Sequence, residues 1–341
     1  MNNFKVHFAF LRGTPLADDE RLWITHFKNE LHPEFEKQSL IYAEDPAEAD
    51  IVVIVESSMP KERTYIRALM RDENIRKYLQ KVFTINYEDA PMGFLPGLYT
   101  SICEPYFNGR IHRSWPPIWV PCAPIYGVSD KEIRESKPKY LFSFLGSKSH
   151  PIREKILSLY SGADQKDAYV RDVDKWFNHS EDEKLKYVEI SLGSRFVLCP
   201  RGHAAFTYRI CETMALGRVP VVIADQWIPF SFRDASPYYV RIPEAQVENI
   251  SAILHEADSK AEEYGFNARE LWKKYSAPSR RVCAALMEIR NLKEEGVCPK
   301  SYKECAKRWN SRRLLKSRGW TFDQRLGRKL RRLTGFFKTR S

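Results

Sequence analysis

The chain has 341 residues, of which 43% are hydrophobic and 13% aromatic. A chain of this length and composition can bury two hydrophobic cores, which excludes a disordered protein, a collagen-like repeat and a coiled coil. The formal net charge is +11, but residues 300–341 alone carry 15 basic residues against two acidic ones. The basic character is therefore concentrated in a C-terminal tail.

Three features bear on the compartment. The sequence has no run of 18 apolar residues that could span a bilayer, and its N-terminus, MNNFKVHFAFLRG, lacks the basic start and small-residue cleavage site of a signal peptide. Its seven cysteines form an odd set with no C-x-x-C pair. Such a set favours reduced thiols over disulfides or a zinc site. These features predict a cytoplasmic protein.

The first half of the chain alternates strand and helix patterns. Residues 4–10 alternate apolar and polar side chains, as in a half-buried strand, and residues 51–55 form a β-branched run typical of a strand buried on both faces. The pattern predicts, in order, a strand at 4–10, a helix at 18–31, a strand at 51–55, a helix at 61–80 and a strand at 81–87. This alternation favours a parallel sheet with helices on both faces.

The alternation stops at residues 90–124, which are rich in proline, glycine and aromatic side chains. The segment is too long for an ordinary connection and predicts a functional loop or a passage between domains. Its aromatic rings could stack on a cyclic ligand, although rings in proline-rich segments usually pack as core; they are Tyr99, Tyr106, Phe107, Trp115 and Trp119. The polar stretch at 129–139 then predicts a linker.

A second α/β series follows the linker. The predicted elements are a strand at 140–145, helices at 151–160 and 182–191, a strand at 196–199, a helix at 206–216, a strand at 219–224, and long helices at 244–264 and 268–290. The fold class is therefore α/β with two parallel sheets. We expect domains at 1–128 and 139–295, with a basic helical tail at 300–341.

Ligands of parallel α/β sheets bind outside the carboxyl ends of the strands, so the polar residues after each strand are the candidates. Ser147, Arg201 and Asp225 follow three strands of the second series. The helix predicted from 206 would point its free N–H groups at the same edge, and Arg201 could bind a diphosphate there. Arg209 and Glu212 share a face of this helix.

Two of these residue sets also allow simpler interpretations. Arg209 and Glu212 are three residues apart, which is the spacing of an ordinary ion pair within a helix. Asp225 could cap the turn that follows it, as aspartates at such positions often do. Both alternatives remain open at this point.

Residues 187–230, YVEISLGSRFVLCPRGHAAFTYRICETMALGRVPVVIADQWIPF, resemble the exostosin-type glycosyltransferases of family 47. The family core reads roughly S-x-F-x-L-x-P-R-G, then R-x-x-E, then G-x-x-P-V-V-I-x-D, and this chain matches it in order and spacing. YLFSFLGS and HPIREKIL, from 140 onward, resemble the preceding strand and helix of the family. The resemblance covers residues 139–230 strongly, the first half little, and the last 50 residues not at all.

This resemblance implies a GT-B architecture of two facing Rossmann-like domains, of which the second binds a nucleotide-diphosphate sugar. It also implies inversion at the anomeric carbon without a bound metal or other cofactor. Arg201 and Arg209 would then bind the diphosphate, with Arg153 as a third arginine. Glu212 would accept hydrogen bonds from the ribose hydroxyls, and Ser147 and Asp225 would line the donor pocket.

An inverting transfer needs a general base, which this architecture places at the strand ends of the first domain. The candidates are Glu56, Glu88 and Asp89, of which Asp89 is favoured; each could equally be a cap or turn carboxylate. His7 lies within a strand and fits less well. His203 could contact the sugar or the acceptor, although a loop histidine with partners of its own is the commoner case.

Two kinds of sequence motif bear on cofactors. Residues 172–174 read Asp-Val-Asp, a form that holds metals in glycosyltransferases of another fold, but this segment is charged and lacks a preceding buried strand. We therefore predict a solvated surface there and a metal-independent enzyme. The dinucleotide and P-loop glycine motifs are absent from the sequence, which argues against dinucleotide oxidoreductases and P-loop enzymes.

The basic tail has an amphipathic pattern. Its apolar face is formed by Phe322, Leu326, Leu330, Leu333 and Phe337. Its other face is largely basic, with Arg325, Arg328, Arg331, Arg332 and Lys338. The pattern is typical of a helix on an anionic membrane surface. An exposed tail, or a helix that packs back on the first domain, are the alternatives.

Together these features predict a cytoplasmic, peripheral membrane glycosyltransferase for cell-surface polysaccharide or glycolipid assembly. Its partners would be a nucleotide sugar, a saccharide or glycolipid acceptor and an anionic membrane, with no nucleic acid. The lack of a signal anchor suggests a bacterial setting. Two rivals remain: a non-catalytic sugar-binding or partner-binding protein with the same fold, and a basic nucleic-acid-binding protein.

Overall fold

The computed structural model describes residues 3–9, 39–56, 69, 71–87, 89, 92–118, 122–162, 167–173 and 180–298. Within this part, no helix is both long and apolar enough to cross a membrane. The helix predicted at 18–31, residues 61–68 and 70 of the helix predicted at 61–80, and the basic tail lie outside the described residues.

The first sheet is parallel and contains six strands in the order β2-β1-β3-β4-β5-β6. Its strands are β1 (Phe4–Ala9), β2 (Leu40–Tyr42), β3 (Ile51–Glu56), β4 (Val82–Asn86), β5 (Gly97–Tyr99) and β6 (His112–Ser114). All six residues of β3 are buried, as its β-branched sequence predicts for a strand covered on both faces.

The second sheet is also parallel, with five strands in the order β11-β10-β9-β7-β8. Its strands are β7 (Tyr140–Gly146), β8 (Ala168–Asp172), β9 (Ser194–Pro200), β10 (Val219–Ile223) and β11 (Val240–Arg241). The central strands β9 and β10 are almost wholly buried. The prediction of two Rossmann-like parallel sheets is confirmed.

The described α-helices are α1 (Glu73–Lys77), α2 (Asp130–Glu135), α3 (Pro151–Tyr160), α4 (Glu181–Leu192), α5 (Arg209–Ala215), α6 (Ile250–Ala257), α7 (Ala261–Tyr275) and α8 (Arg281–Glu294). Short 3-10 helices lie at Leu79–Lys81, Glu104–Tyr106, Ala123–Gly127, Glu244–Asn249 and Asp258–Lys260. Local sequence sets several of these ends. Ser180 and Glu183, for example, form a capping box at the start of α4.

The segment predicted as a loop, 90–124, contains β5 and β6, which extend the first sheet. Gly97 makes β5 possible: its φ is 146°, and a Cβ there would lie 2.1 Å from the carbonyl oxygen of Thr84. Tyr99 and Trp115 are only 1% and 2% exposed, so they are core residues and cannot stack on a sugar. Trp119 lies outside the described residues.

Two other boundaries differ from the sequence prediction. The predicted linker at 129–139 contains α2, which Ser129 and Glu132 start with a capping box. The two long C-terminal helices are in fact three, because the 3-10 turn at Asp258–Lys260 separates α6 from α7. Residues 276–280 then reverse the chain into α8.

The two sheets are joined by a continuous core and by α8, which packs against both units. Lys293 of α8 donates a hydrogen bond to the carbonyl oxygen of Asp50 at 2.7 Å, and the Arg290 guanidinium lies 5.1 Å from the centre of the Phe4 ring. Between the carboxyl ends of the sheets, the backbone N–H of Glu104 donates to the Gln226 carbonyl at 3.1 Å. The carboxyl ends of both sheets therefore face each other across this contact, and we call the region between them the crevice.

Glu288 of α8 anchors an ionic network between the units. It is 4% exposed and accepts hydrogen bonds from Arg113 of β6 at 3.1 Å and from Arg233 at 2.9 Å. Both arginines also bind Glu295, which is 41% exposed. Glu288 is the buried carboxylate of this network. It therefore stabilises the two guanidinium charges more than the exposed Glu295 does.

Replacing Glu288 with alanine is expected to lower the free energy of unfolding by about 3–5 kcal/mol, because the change removes the buried partner of Arg113, whose side chain is itself only 14% exposed. The matched change Glu295→Ala removes an exposed partner of the same two arginines and should cost at most about 1 kcal/mol. Urea unfolding followed by circular dichroism measures both values. Equal losses for the two variants would contradict a buried anchor at Glu288.

Candidate functional site

Three loops meet at the carboxyl edge of the second sheet. Residues 147–150 follow β7, residues 201–208 follow β9, and Asp225 follows β10. Because β7, β9 and β10 are parallel neighbours, their carboxyl ends lie side by side. This edge carries most of the side chains that the sequence predicted for donor binding.

Arg153 on α3 is 6% exposed and ties α3 to the end of β9. Its Nε donates to the Arg201 carbonyl at 3.0 Å, and its Nη2 donates to the Pro200 carbonyl at 3.1 Å. Burial, and then the nearby charge of Arg209, lower the pKa of Arg153 to about 9. The guanidinium therefore stays charged at neutral pH.

Arg209 is the first residue of α5 and reaches across to β7. Its Nη2 donates to the Leu145 carbonyl, and its guanidinium lies 5.1 Å from the centre of the Phe144 ring. Its Nε is buried without a hydrogen-bond partner. Gly146 allows this position, because a Cβ there would come within 2.8 Å of the Arg209 Nη2.

Arg201 lies between β9 and the crevice, with a side chain that is 14% exposed. Its Nη2 donates to the His203 carbonyl at 3.4 Å, its Nη1 is 3.8 Å from Glu244, and its Nε is buried without a partner. We call Arg153, Arg201 and Arg209 the arginine cluster. Among the described residues, no carboxylate lies within ion-pair distance of Arg153 or Arg209. The arginine cluster therefore has an excess of positive charge that suits an anion.

Glu212 lies one turn along α5 from Arg209 and is 8% exposed. The Tyr187 hydroxyl of α4 donates to its Oε2 at 2.9 Å, and burial raises the pKa of Glu212 although Arg209 and Tyr187 oppose the shift. Arg209 and Glu212 thus bind different elements and do not form the intrahelical ion pair that their spacing allows. The Glu212 Oε1 has no hydrogen-bond partner in the described part of the chain.

Asp225 and Ser147 lie at the edge but are not drawn into the arginine cluster. Asp225 is exposed, and its Oδ1 accepts from the Glu244 N–H at 3.0 Å, so it caps the 3-10 helix at Glu244–Asn249. Ser147 is half-buried, and its carbonyl accepts from the Ser149 N–H at 2.9 Å. A donor-lining role for either residue stays a prediction.

The Asp-Val-Asp segment differs from its prediction in one respect. Asp172 is the last residue of a strand, β8, which the sequence pattern did not indicate. This is an edge strand in which only Val170 is buried, and Asp172 pairs with Lys148 at 2.7 Å. Asp174 lies outside the described residues, and within the described part no cluster of three potential metal ligands occurs. Metal independence stays a prediction.

The candidate bases differ sharply in environment. Glu56, at the end of β3, is 2% exposed and accepts a hydrogen bond from the Thr84 hydroxyl. Glu88 lies outside the described residues. Asp89 is exposed to water, yet the surrounding protein raises its pKa, an effect that the charge of His203 opposes.

The neighbours of Asp89 belong to the second unit. Besides His203, Tyr208 lies near enough to respond to it: burial, and then the Asp89 charge, raise the pKa of Tyr208 to about 12. Asp89 therefore lies near the segment that follows β9 of the second sheet. This position agrees with the preference for Asp89 from the sequence, while the catalytic role stays a prediction.

One polar residue at this edge was absent from the sequence prediction. His150 precedes α3 and caps it, since its Nδ1 accepts from the Ile152 N–H at 3.2 Å. Burial, then the charges of Arg201, Arg153 and His203, lower the pKa of His150 to about 4. The sequence signal was present, because a polar residue followed by proline is typical of a helix start.

Comparisons with known proteins agree with the motif. Residues 112–257 match the family model of the Exostosin GT47 domain. An Exostosin-1 homolog from Caenorhabditis elegans is 33% identical over 119 residues, covering 28% of this chain and 30% of that protein. Ribitol-5-phosphate xylosyltransferase 1 from Danio rerio is 29% identical over 136 residues, covering 38% of this chain and 31% of that protein. The aligned regions thus span under a third of either relative.

A solved structure of a glycosyltransferase from Rickettsia africae aligns over 86% of this chain and 99% of its own, with a TM-score of 0.40 and 9% identity. The family match is the finding that bears on identity, because it contains β7, β9, β10 and the whole arginine cluster. It also begins earlier than the motif, at β6 of the first sheet. Residues 112–257 therefore match the Exostosin GT47 domain, and this match supports the resemblance to the exostosin-type family 47 that the sequence motif predicts.

Proposed function

We propose that this protein is an inverting, metal-independent glycosyltransferase, which moves a sugar from a nucleoside diphosphate to a hydroxyl group of a saccharide acceptor. The observation that carries the proposal is the arginine cluster, which has excess positive charge and lies at the sheet edge within the matched domain. The names of the relatives, an exostosin homolog and a xylosyltransferase, support the same class of reaction.

On the donor side, the bond between the anomeric carbon and the diphosphate breaks, and negative charge builds on the leaving phosphate oxygens. Arg201 and Arg209 each have a buried Nε without a partner, so both retain unused N–H donors. Fixed donors aimed at developing charge lower the barrier without reorganisation, and one such donor is typically worth about 100- to 1,000-fold in kcat. The cluster would thereby do the work that a metal ion does in other transferases. Glu212 Oε1 would accept from the ribose.

On the acceptor side, the hydroxyl oxygen attacks the anomeric carbon from the face opposite the diphosphate while its proton passes to a base. Asp89 suits this step because its carboxyl is accessible, lies near the segment that follows β9 and has a raised pKa. Glu56 suits it less, because its carboxylate is buried and already bound to Thr84. The first unit would therefore supply the base, and the second unit would stabilise the leaving group.

We extend the proposal to an acceptor held at an anionic membrane surface, as in glycolipid or polysaccharide assembly. The support is the alternation of basic and apolar residues within 300–341 of the sequence. Each basic group near such a surface contributes about 1 kcal/mol.

The experiment is a panel of nucleotide sugars incubated with the protein in EDTA, with release of the nucleoside diphosphate as the signal. At least one donor should be consumed at the same rate with and without EDTA, and NMR of the product should show an inverted anomeric configuration. Arg195→Ala, which removes an exposed arginine paired with Asp258, is the matched control and should leave the rate unchanged. Turnover that EDTA abolishes, or a retained configuration, would refute the proposed mechanism.

A further inference from the structure

The cap of α3 fixes the tautomer of His150. An imidazole nitrogen that accepts a hydrogen bond carries no proton, and the His150 Nδ1 accepts from the Ile152 N–H at 3.2 Å. The neutral ring must then carry its proton on Nε2. Protonating Nδ1 would break the cap and add a positive charge to a cationic surrounding. His150 is therefore a neutral side chain with one N–H donor.

This donor is unused among the described residues. The only hydrogen bond of the His150 side chain there is the one to Ile152, and the ring is partly open to solvent. Two guanidinium groups lie near it, Arg153 of its own helix and Arg201 of the segment after β9, together with the imidazole of His203. The His150 ring therefore lies in a region of positive charge.

Arg153 supplies a second, independent sign of a ligand. Arg153 is 6% exposed, yet its guanidinium binds only two backbone carbonyls, through Nε and Nη2, and no described carboxylate pairs with it. Its Nη1 makes no hydrogen bond within the described residues. A buried charge without a counterion is costly, so a bound anion is the partner that this geometry lacks.

Gly202 shows how closely the two loops approach. A Cβ at this position would lie 3.3 Å from the Arg153 Nη2 and 3.7 Å from the Ser149 hydroxyl. The backbone after β9 therefore lies against the loop that leads into α3. A side chain here would fill the space between Arg153 and Ser149, whereas glycine leaves it to a small ligand.

We propose that His150 binds a phosphate group of the nucleotide-sugar donor through its Nε2–H, beside the charges of Arg153 and Arg201. The inference deepens the proposed function and rests on it. A neutral donor suits this place because it adds a directional hydrogen bond without further repulsion among the arginines. Its hydrogen bond also persists across the physiological pH range, since the neutral ring neither gains a second proton nor loses its Nε2 proton there.

The first test is calorimetric titration of the protein in EDTA with UDP, GDP and inorganic pyrophosphate. His150→Ser keeps a cap, because serine can accept from the Ile152 N–H, but removes the N–H donor. The variant should bind the preferred nucleoside diphosphate about 10- to 100-fold more weakly, the range for losing a hydrogen bond to a charged group. Its thermal unfolding midpoint should stay near that of the native protein. His255→Ser, a change to an exposed histidine on α6, is the matched control and should alter neither value.

The second test is ¹⁵N NMR of the histidine rings. His150 should show the Nε2–H tautomer without ligand, and its Nε2–H resonance should shift on addition of the diphosphate. Unchanged affinity in His150→Ser, or an Nδ1–H tautomer, overturns the inference while leaving the proposed function intact. Pyrophosphate binding that depends on His150, without any donor turnover, supports the anion site and counts against the glycosyltransferase. Binding of none of the three probes overturns both.

Discussion

Replacing Arg209 with alanine is expected to lower kcat/KM for the sugar donor by about 100- to 1,000-fold. The guanidinium lies over the Phe144 ring and beside Gly146 at the end of β7, so its charge is held where the leaving diphosphate would sit. Arg209→Lys keeps the charge but loses the planar fork, and should recover only part of the rate. Steady-state kinetics with the preferred donor, together with thermal unfolding, distinguishes a loss of catalysis from a loss of folded structure.

Arg195→Ala provides the control for this prediction. Arg195 lies on the amino-terminal part of β9, is 46% exposed and pairs with Asp258. It therefore belongs to the strand that leads to Arg201 but does not lie at the carboxyl edge of the sheet. Its loss should change kcat/KM by less than about twofold, because surface ion pairs contribute little. A fully active Arg209→Ala protein would contradict the proposal that the Arg209 charge stabilises the leaving diphosphate.

Replacing Asp89 with asparagine is expected to reduce kcat by about 100- to 10,000-fold while leaving the affinity for the donor unchanged, because a general base acts on the acceptor proton and not on the diphosphate. The pH dependence gives a second signature. The base must be ionised, and the protein raises the pKa of Asp89, so kcat/KM should fall with decreasing pH at a value above the ordinary aspartate pKa of about 3.9. Donor affinity from calorimetry and kcat from turnover test the two parts.

Glu104→Gln is the matched control for Asp89. Glu104 is exposed, belongs to the first unit and lies at the junction with Gln226. Its neutralisation should leave both kcat and the acid limb of the pH profile in place. A loss of rate in Glu104→Gln as large as that in Asp89→Asn would mean that general negative charge, and not a specific base, matters at this face of the crevice.

Much of the fold could be predicted where the signal is local. The β-branched run of β3 and the apolar core of β9 identified buried parallel strands within two residues of their observed ends. The bounds of α3 were predicted without error, because proline marks its first residue and apolar side chains then recur at helical spacing. Parallel topology followed from the alternation of strands and helices.

Other elements depend on contacts that the local sequence does not encode. Strands β5 and β6 have three residues each and lie in a proline-rich and glycine-rich segment, so no periodicity reveals them. Helix α5 begins at Arg209, not at residue 206, because Phe206 and Thr207 are buried in the core before the helix starts. With only seven residues, α5 contributes less to anion binding than predicted, and the arginine cluster carries that role in our proposal.

In the candidate site, too, the sequence predicted the local features but not the contacts between distant residues. The sequence indicated Arg201, Arg209 and Glu212 through an ordered motif, and it placed them correctly at one sheet edge. It could not show that Arg153 binds the carbonyl groups at the end of β9, since that contact joins residues 47 and 48 positions apart. The proximity of Asp89 to His203 likewise depends on how the two units face each other.

The central claim is that the arginine cluster binds a diphosphate without help from a metal ion. Isothermal titration of the protein with UDP and with GDP in EDTA tests it most directly. Saturable binding of at least one of them is predicted, with loss of that binding in the Arg201→Ala and Arg209→Ala proteins and its retention in Arg195→Ala. Failure of both nucleotides to bind the native protein, or binding that survives both arginine substitutions, would contradict the claim.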